Sequence, residues 1–326
     1  MIFSTIISLA VIMFLIVLHE MGHFLVAIYF SIPVEEFSVG YGPEIASYKG
    51  KWTKYCLRAI PLGGYVMIEG MEDEKSSGSS FDKRALYQKV VVIIAGIAVN
   101  FALSFTIFFF VSLFRGHISE EKKSFIAHKS GSFEEEDRIV MINGSSTKKW
   151  KDVISILEED SSDFKITTSN RSRVKNTLLT KEESYILING SPRHFSLSKS
   201  ILFPFKATYK GIKDSALKLK NMVMGSEVSG NLSGPVGIVN KISASLSRSL
   251  WDFFLLVAML SMSLGFLNLL PIPGLDGGHL LLITLKSLNI KMGEKIENGI
   301  MFSGLALLAI LAIVVTKSDI LKLLGW

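Results

Sequence analysis

The sequence predicts a multi-pass α-helical membrane protein. Four transmembrane helices are expected, with a membrane-associated β element on the cytosolic side and one inserted extracytoplasmic α/β domain. Three observations carry this. Four stretches, 2–30, 90–114, 250–270 and 299–316, are apolar over about the length a helix needs to cross hydrocarbon. Basic side chains gather in two of the intervening loops, as cytosolic loops do. Short β-rich runs broken by Gly, Pro and Asn-Gly fill the remaining segments. The hydrophobic fraction of 49% agrees with this class.

The first stretch lacks a positive leader and a small-residue cleavage site, so 1–30 reads as a retained helix rather than a removed signal. The loop 31–89 holds eight basic side chains: Lys49, Lys51, Lys54, Arg58, Lys75, Lys83, Arg84 and Lys89. The loop before the last span holds Lys286, Lys291 and Lys295. Both loops are therefore assigned to the cytosol, and the N-terminus, residues 115–249 and the C-terminus to the outside. Within 31–89, the runs 37–39, 55–60 and 65–68 are separated by Gly40, Gly42, Pro43, Pro61, Gly63 and Gly64. A hairpin-like element there offers an edge strand to an extended chain. The stretch 72–82 reads as a solvated linker.

The second span is 90–114. Beyond it, 117–195 alternates β-like runs (125–128, 138–142, 164–168, 185–188) with one helical stretch at 151–159, and Asn143-Gly144 and Asn189-Gly190 supply turns. Residues 201–249 read as an amphipathic helix, centred on 209–224, and a linker. In that helix Ile212, Ala216, Leu219 and Val223 share one side while Lys210, Lys213, Lys218 and Lys220 take others, which suits a membrane surface. The third span, 250–282, contains Asn-x-x-Pro-x-Pro-x-Leu-Asp-Gly, and the fourth covers 299–316.

Inside the first span lies His19-Glu20-Met21-Gly22-His23. His-Glu-x-x-His on a helix sets two imidazoles at i and i+4 on one face, able to grip one zinc, with the glutamate beside them as a general base. Ionisable groups in hydrocarbon cost several kcal/mol and call for a partner or a task. A zinc hydrolase with its site in the bilayer is the reading that uses all three. Cys56 is the only cysteine, which leaves neither an intrachain disulfide nor a cysteine zinc site. No basic cluster is interleaved with aromatics, so nucleic acid is not an expected partner.

A catalytic zinc takes three protein ligands. His117, His128 and His194 fall in the outside segment, away from the His23 end of the first helix. Glu69 and other loop acids remain open, and His279 is a local rival. Asp276 is better placed. It stands ten residues before Lys286 and His23 seven before Phe30, so both sit about 10–15 Å from the cytosolic end at ~1.5 Å per residue. Pro271 and Pro273 break the helix just before it, and Gly277 and Gly278 permit close backbone approach.

The His19–His23 motif, Val39-Gly-Tyr-Gly-Pro43, Arg58-Ala-Ile-Pro-Leu-Gly-Gly-Tyr65, Ser233-Gly-Pro-Val-Gly-Ile238 and the run from Asn268 to Gly278 together resemble the site-2 protease family, in particular its bacterial regulator-of-sigma-E protease group. The resemblance implies His19, His23 and Asp276 as zinc ligands and Glu20 as catalytic base. It implies that Asn268 helps hold the substrate backbone, and that 117–195 is a PDZ-like domain outside a bacterial cytoplasmic membrane. Gly63 and Gly64 join Asn268 as expected substrate-binding positions. The implied substrate is a transmembrane protein within the lipid bilayer. The sequence departs from the family at Ile97, where proline is usual, and at Glu136, where glycine is usual, and it has room for one such domain rather than two. The alternative from another class is a non-proteolytic membrane zinc-binding or metal-transport protein.

Overall fold

The computed structural model describes residues 2–71, 78–118, 122–126, 130, 132–158, 163–170, 173–180, 183–184, 187–188, 191–223, 234–288, 290 and 293–323. In chain order it contains α1 (Ile2–Tyr29), β1 (Val34–Lys49), β2 (Lys54–Ile68), α2 (Leu86–Arg115), β3 (His117–Ile118), β4 (Arg138–Ile142), β5 (Ser145–Ser146) and α3 (Trp150–Glu158). There follow β6 (Asp163–Asn170), β7 (Arg173–Thr180), β8 (Arg193–His194), α4 (Leu197–Val223), α5 (Pro235–Arg248), α6 (Leu250–Leu269), α7 (Asp276–Ser287) and α8 (Glu294–Leu323). Among the described residues, four helical segments are long and apolar enough to cross a membrane: Thr5–Tyr29, Leu86–Arg115, Leu250–Leu269 and Gly299–Lys317. The protein is a multi-pass membrane protein. Two compact units are present, one formed by Met1–Phe108 with Pro204–Trp326, the other by Phe109–Phe203.

In the first unit, the three expected β runs prove to be parts of two long strands. β1 and β2 pair antiparallel from Val34↔Ile68 to Lys49↔Lys54. Glu36 to Val39 also lie beside Lys54 to Leu57, so the ribbon is folded over on itself. Glycines make the bend: Gly40 and Gly42 take φ of 89° and 82°, a region closed to most side chains. The fold-over is tied by Arg58, which donates to Glu36 Oε1 (2.5 Å), Ser38 Oγ (2.9 Å) and the Gly42 carbonyl (2.9 Å). Tyr65 adds a hydroxyl donor to the same Glu36 oxygen at 2.6 Å.

The ribbon packs on the end of α1 through Ala27, Ile32, Val34, Ile68, Phe81, Val92 and Ile93, all buried. Phe81 corrects the linker expected at 72–82. Residues 72–77 lie outside the described residues, but Phe81–Lys83 form a 3₁₀ turn whose phenyl ring joins this core.

Three further differences concern the C-terminal half. The amphipathic helix starts at Leu197, earlier than its periodicity suggested, and carries Pro204 inside it. Part of the expected linker is the helix α5, which begins with Pro235 at its first position, where the missing N–H costs nothing. Its N-terminus is capped by Asp319 of α8, whose carboxylate accepts from Gly237 N–H at 2.8 Å. Finally, 250–282 is two helices, because the chain turns at Pro271-Ile272-Pro273-Gly274 before α7 starts at Asp276.

The second unit has a four-stranded sheet in the order β5-β4-β6-β7 and a short pair, β3-β8. The Asn143-Gly144 turn between β4 and β5 has the positive φ of a tight hairpin, 50° and 84°. β7 was not anticipated. Its residues are mostly exposed, so it lacks the apolar alternation that marks a half-buried strand. The run expected at 185–188 and the turn at Asn189-Gly190 fall partly or wholly outside the described residues. The core centres on Trp150, Phe133, Phe164, Ile126, Ile139, Ile142 and Ile166. Glu136 adopts φ 69°, a left-handed conformation that few non-glycine residues take.

Asp152 sets the start of α3. Its carboxylate accepts from the backbone N–H groups of Lys148 and Lys149, each at 2.9 Å, closing a capping arrangement. These bonds, to Lys149 first and Lys148 second, hold its carboxyl below the usual range. The stabilisation is therefore complete above the unfolded value, about pH 4, and is lost as pH falls through the depressed folded value. Asp152→Ala is expected to destabilise this unit by about 1 kcal/mol. Hydrogen exchange of α3 in the full-length protein would show it, with the difference from the parent shrinking in acid.

Candidate metal centre

α1 sets His19 and His23 one turn apart on one face, and α7 brings Asp276 to them. Asp276 Oδ2 lies 3.0 Å from His19 Nε2 and 3.4 Å from His23 Nε2, and the two Nε2 atoms are 3.2 Å apart. Tetrahedral ligands at ~2.0–2.1 Å from a zinc stand about 3.3–3.4 Å from each other, so the triangle has the dimensions of a metal site. Both imidazoles are buried, and Asp276 Oδ2 makes no well-formed hydrogen bond despite being enclosed. A buried carboxylate oxygen left in that state fits a cation. The donor set fits zinc, because imidazole and carboxylate are its usual ligands beside thiolate.

The loop before Asp276 is shaped by its glycines. A Cβ on Gly277 would overlap the Leu270 carbonyl oxygen, and one on Gly278 the Ile272 carbonyl oxygen. Only bare backbone lets the chain turn this tightly and start α7 with Asp276 facing the histidines. α8 closes on the same loop, since a Cβ on Gly304 would overlap the Pro273 carbonyl oxygen.

Around the ligands, His23 Nδ1 donates to the Val92 carbonyl of α2 at 2.9 Å, which leaves Nε2 as the lone-pair nitrogen. The Asn100 amide of α2 lies 3.0 Å from His19 Nδ1, and the Asn268 amide of α6 lies 3.2 Å from His19 Nε2. Glu20 turns to the β ribbon, where its carboxylate reaches the backbone N–H of Val66. Gly63 and Gly64 precede Val66 in β2. A Cβ on Gly63 would stand 2.6 Å from the Tyr41 ring, and one on Gly64 would stand 2.6 Å from the Ser38 carbonyl oxygen. Tyr41 donates its hydroxyl to the Gly64 carbonyl at 2.9 Å.

His19, His23, Asp276 and Asn268 thus converge, with Glu20 beside them, while Gly63 and Gly64 lie in the strand that Glu20 touches. Two features were not anticipated. Gly96 of α2 faces both imidazoles, and a Cβ there would overlap His23 Nε2. Gly22 lets α1 close on the Ala95 backbone of α2, where a Cβ would stand 2.6 Å from the carbonyl oxygen. Small residues at a helix crossing in an apolar span were the available signal.

Residues 7–311 match the model of peptidase family M50. The chain belongs to peptidase family M50, the site-2 protease family. A Fusobacterium nucleatum protein named as a zinc metalloprotease is 33% identical, covering 95% of this chain and 96% of its own. A Clostridium acetobutylicum protein of the same designation is 31% identical over 98% and 97% of the two chains. The regulator of sigma-W protease RasP of Bacillus subtilis is 26% identical over 95% and 96%. As an M50 peptidase, the protein is an intramembrane zinc metalloprotease. The alternative of a non-proteolytic zinc-binding or transport protein gives way to this assignment.

Proposed function

We propose that His19, His23 and Asp276 hold the zinc of this M50 peptidase, that Glu20 is its general base, and that it cleaves a peptide bond within a transmembrane segment of a membrane protein. The convergence of three ligand atoms from the two ends of the chain carries the reading. When bound, zinc supplies Lewis-acid chemistry, making water a nucleophile near neutral pH and polarising a carbonyl. Glu20 takes the proton of the attacking water and returns it to the leaving nitrogen.

A transmembrane helix shields its carbonyls in its own hydrogen bonds, so the substrate must be unwound before attack. The edge of the β ribbon at Gly63 and Gly64, with Asn268, holds the extended chain. The positive-inside charge pattern supports an active site near the cytosolic side. The unit at 117–195 reads as a PDZ-like domain on the outer side of a bacterial cytoplasmic membrane, where it selects substrates whose outer domains have been trimmed. RasP is named for regulating a sigma factor, which supports a membrane-bound regulator of transcription as one substrate class.

The test is Glu20→Gln against a model transmembrane peptide. Cleavage is expected to fall at least ~10²-fold, the usual contribution of a positioned base, while zinc content stays at the parent's level. A Gln variant that cleaves as well as the parent sinks the proposal.

A further inference from the structure

Asn100 is fully buried in α2. It is held from behind by α6: Ser261 donates its hydroxyl to the Asn100 carbonyl at 2.9 Å, and Gly265 leaves room for the Asn100 Cβ, which a Cβ there would meet at 3.3 Å. The amide is thereby aimed at one atom. Nδ2 lies 3.0 Å from His19 Nδ1, and Oδ1 has no partner.

A neutral imidazole carries its proton on one nitrogen only. When Asn100 donates to Nδ1, the proton sits on Nε2, the atom that faces Asp276 and His23, and the lone pair there is gone. When the amide is turned so that Oδ1 meets Nδ1, it accepts an N–H and leaves the Nε2 lone pair free. The two orientations exchange an oxygen for a nitrogen and occupy the same space. His23 has no such choice. Its Nδ1 faces the Val92 carbonyl, which can only accept.

We infer that Asn100 is a positioning residue for metal binding, selecting the Nδ1–H tautomer of His19 by presenting its amide oxygen to that nitrogen. This rests on His19 being a zinc ligand. The two ligands on α1 are thus set differently, one by fixed backbone and one by a side chain able to serve either tautomer.

The test uses the full-length protein in lipid nanodiscs with Asn100→Leu and Asn100→Asp. Leu fills similar space and offers no acceptor; Asp keeps an oxygen at the same reach. Asn100→Leu is expected to weaken zinc binding 10–100-fold, the usual loss for an outer-shell partner, in competition with a chelator of known affinity. Asn100→Asp is expected to recover most of that loss. In ¹⁵N-histidine-labelled, zinc-loaded protein, His19 should show the Nδ1–H tautomer in the parent and Asp variant. A Leu variant with parental zinc affinity overturns the inference, as does an Asp variant as weak as Leu. Failure of the underlying site is separable: His19→Ala would then keep its zinc.

Discussion

Gly96→Ala is expected to cost the protein its zinc. The added methyl would overlap His23 Nε2 and stand 2.7 Å from its Cε1 and 2.8 Å from His19 Cε1. Real Cβ atoms do not tolerate such distances, so both rings must swing away. They have little room, since His23 is bonded to Val92 and His19 lies against Asn100. The helix itself loses nothing, because alanine is favoured over glycine by about 1 kcal/mol in a helix interior. The expected result is a normally folded, membrane-inserted protein with zinc affinity down more than ~100-fold, beyond the loss typical of an outer-shell change. Zinc content and cleavage would fall together while helical circular dichroism stays at the parent's value. A variant that retains both zinc and activity would show that α2 does not wall the site.

Asp276→Ala should be at least as severe. On the proposed ligand set it leaves two imidazoles where a catalytic zinc uses three protein ligands, and it removes the one carboxylate of the group. Zinc binding should weaken by more than the ~100-fold of an outer-shell loss, with cleavage undetectable at ordinary zinc concentrations. Asp276→Asn, which keeps an oxygen without the charge, should fall between the parent and the alanine variant. Titration of each purified protein with zinc would rank them. Persistent cleavage by Asp276→Ala at full zinc content would remove Asp276 from the ligand set.

Much of this arrangement can be read in the sequence, because its causes are local. Length and apolarity decide the spanning helices, and a period of four residues places His19 and His23 together. The prolines and glycines of 271–278 announce a tight turn, and similar distances from the ends of their apolar spans link Asp276 to the histidines. Legibility fails where the cause lies in another element. Gly96 is an ordinary small residue of an apolar span until α1 is packed against it. Asn100 is conspicuous in that span, but its target atom is fixed only by the crossing of α1 and α2. The β runs were visible, but not the fold-over of the ribbon, since Arg58 ties residues that sequence spacing does not pair. α5 owes its cap to Asp319, far along the chain.

The distribution of the proposed ligands along the polypeptide has a consequence for its biosynthesis. His19 and His23 enter the membrane with the first helix, whereas Asp276 is delivered only with the second-last. A ribosome-bound chain therefore carries an incomplete centre until nearly all of it has been made. On the proposed ligand set, a product that ends before Asp276 would lack one of its three ligands.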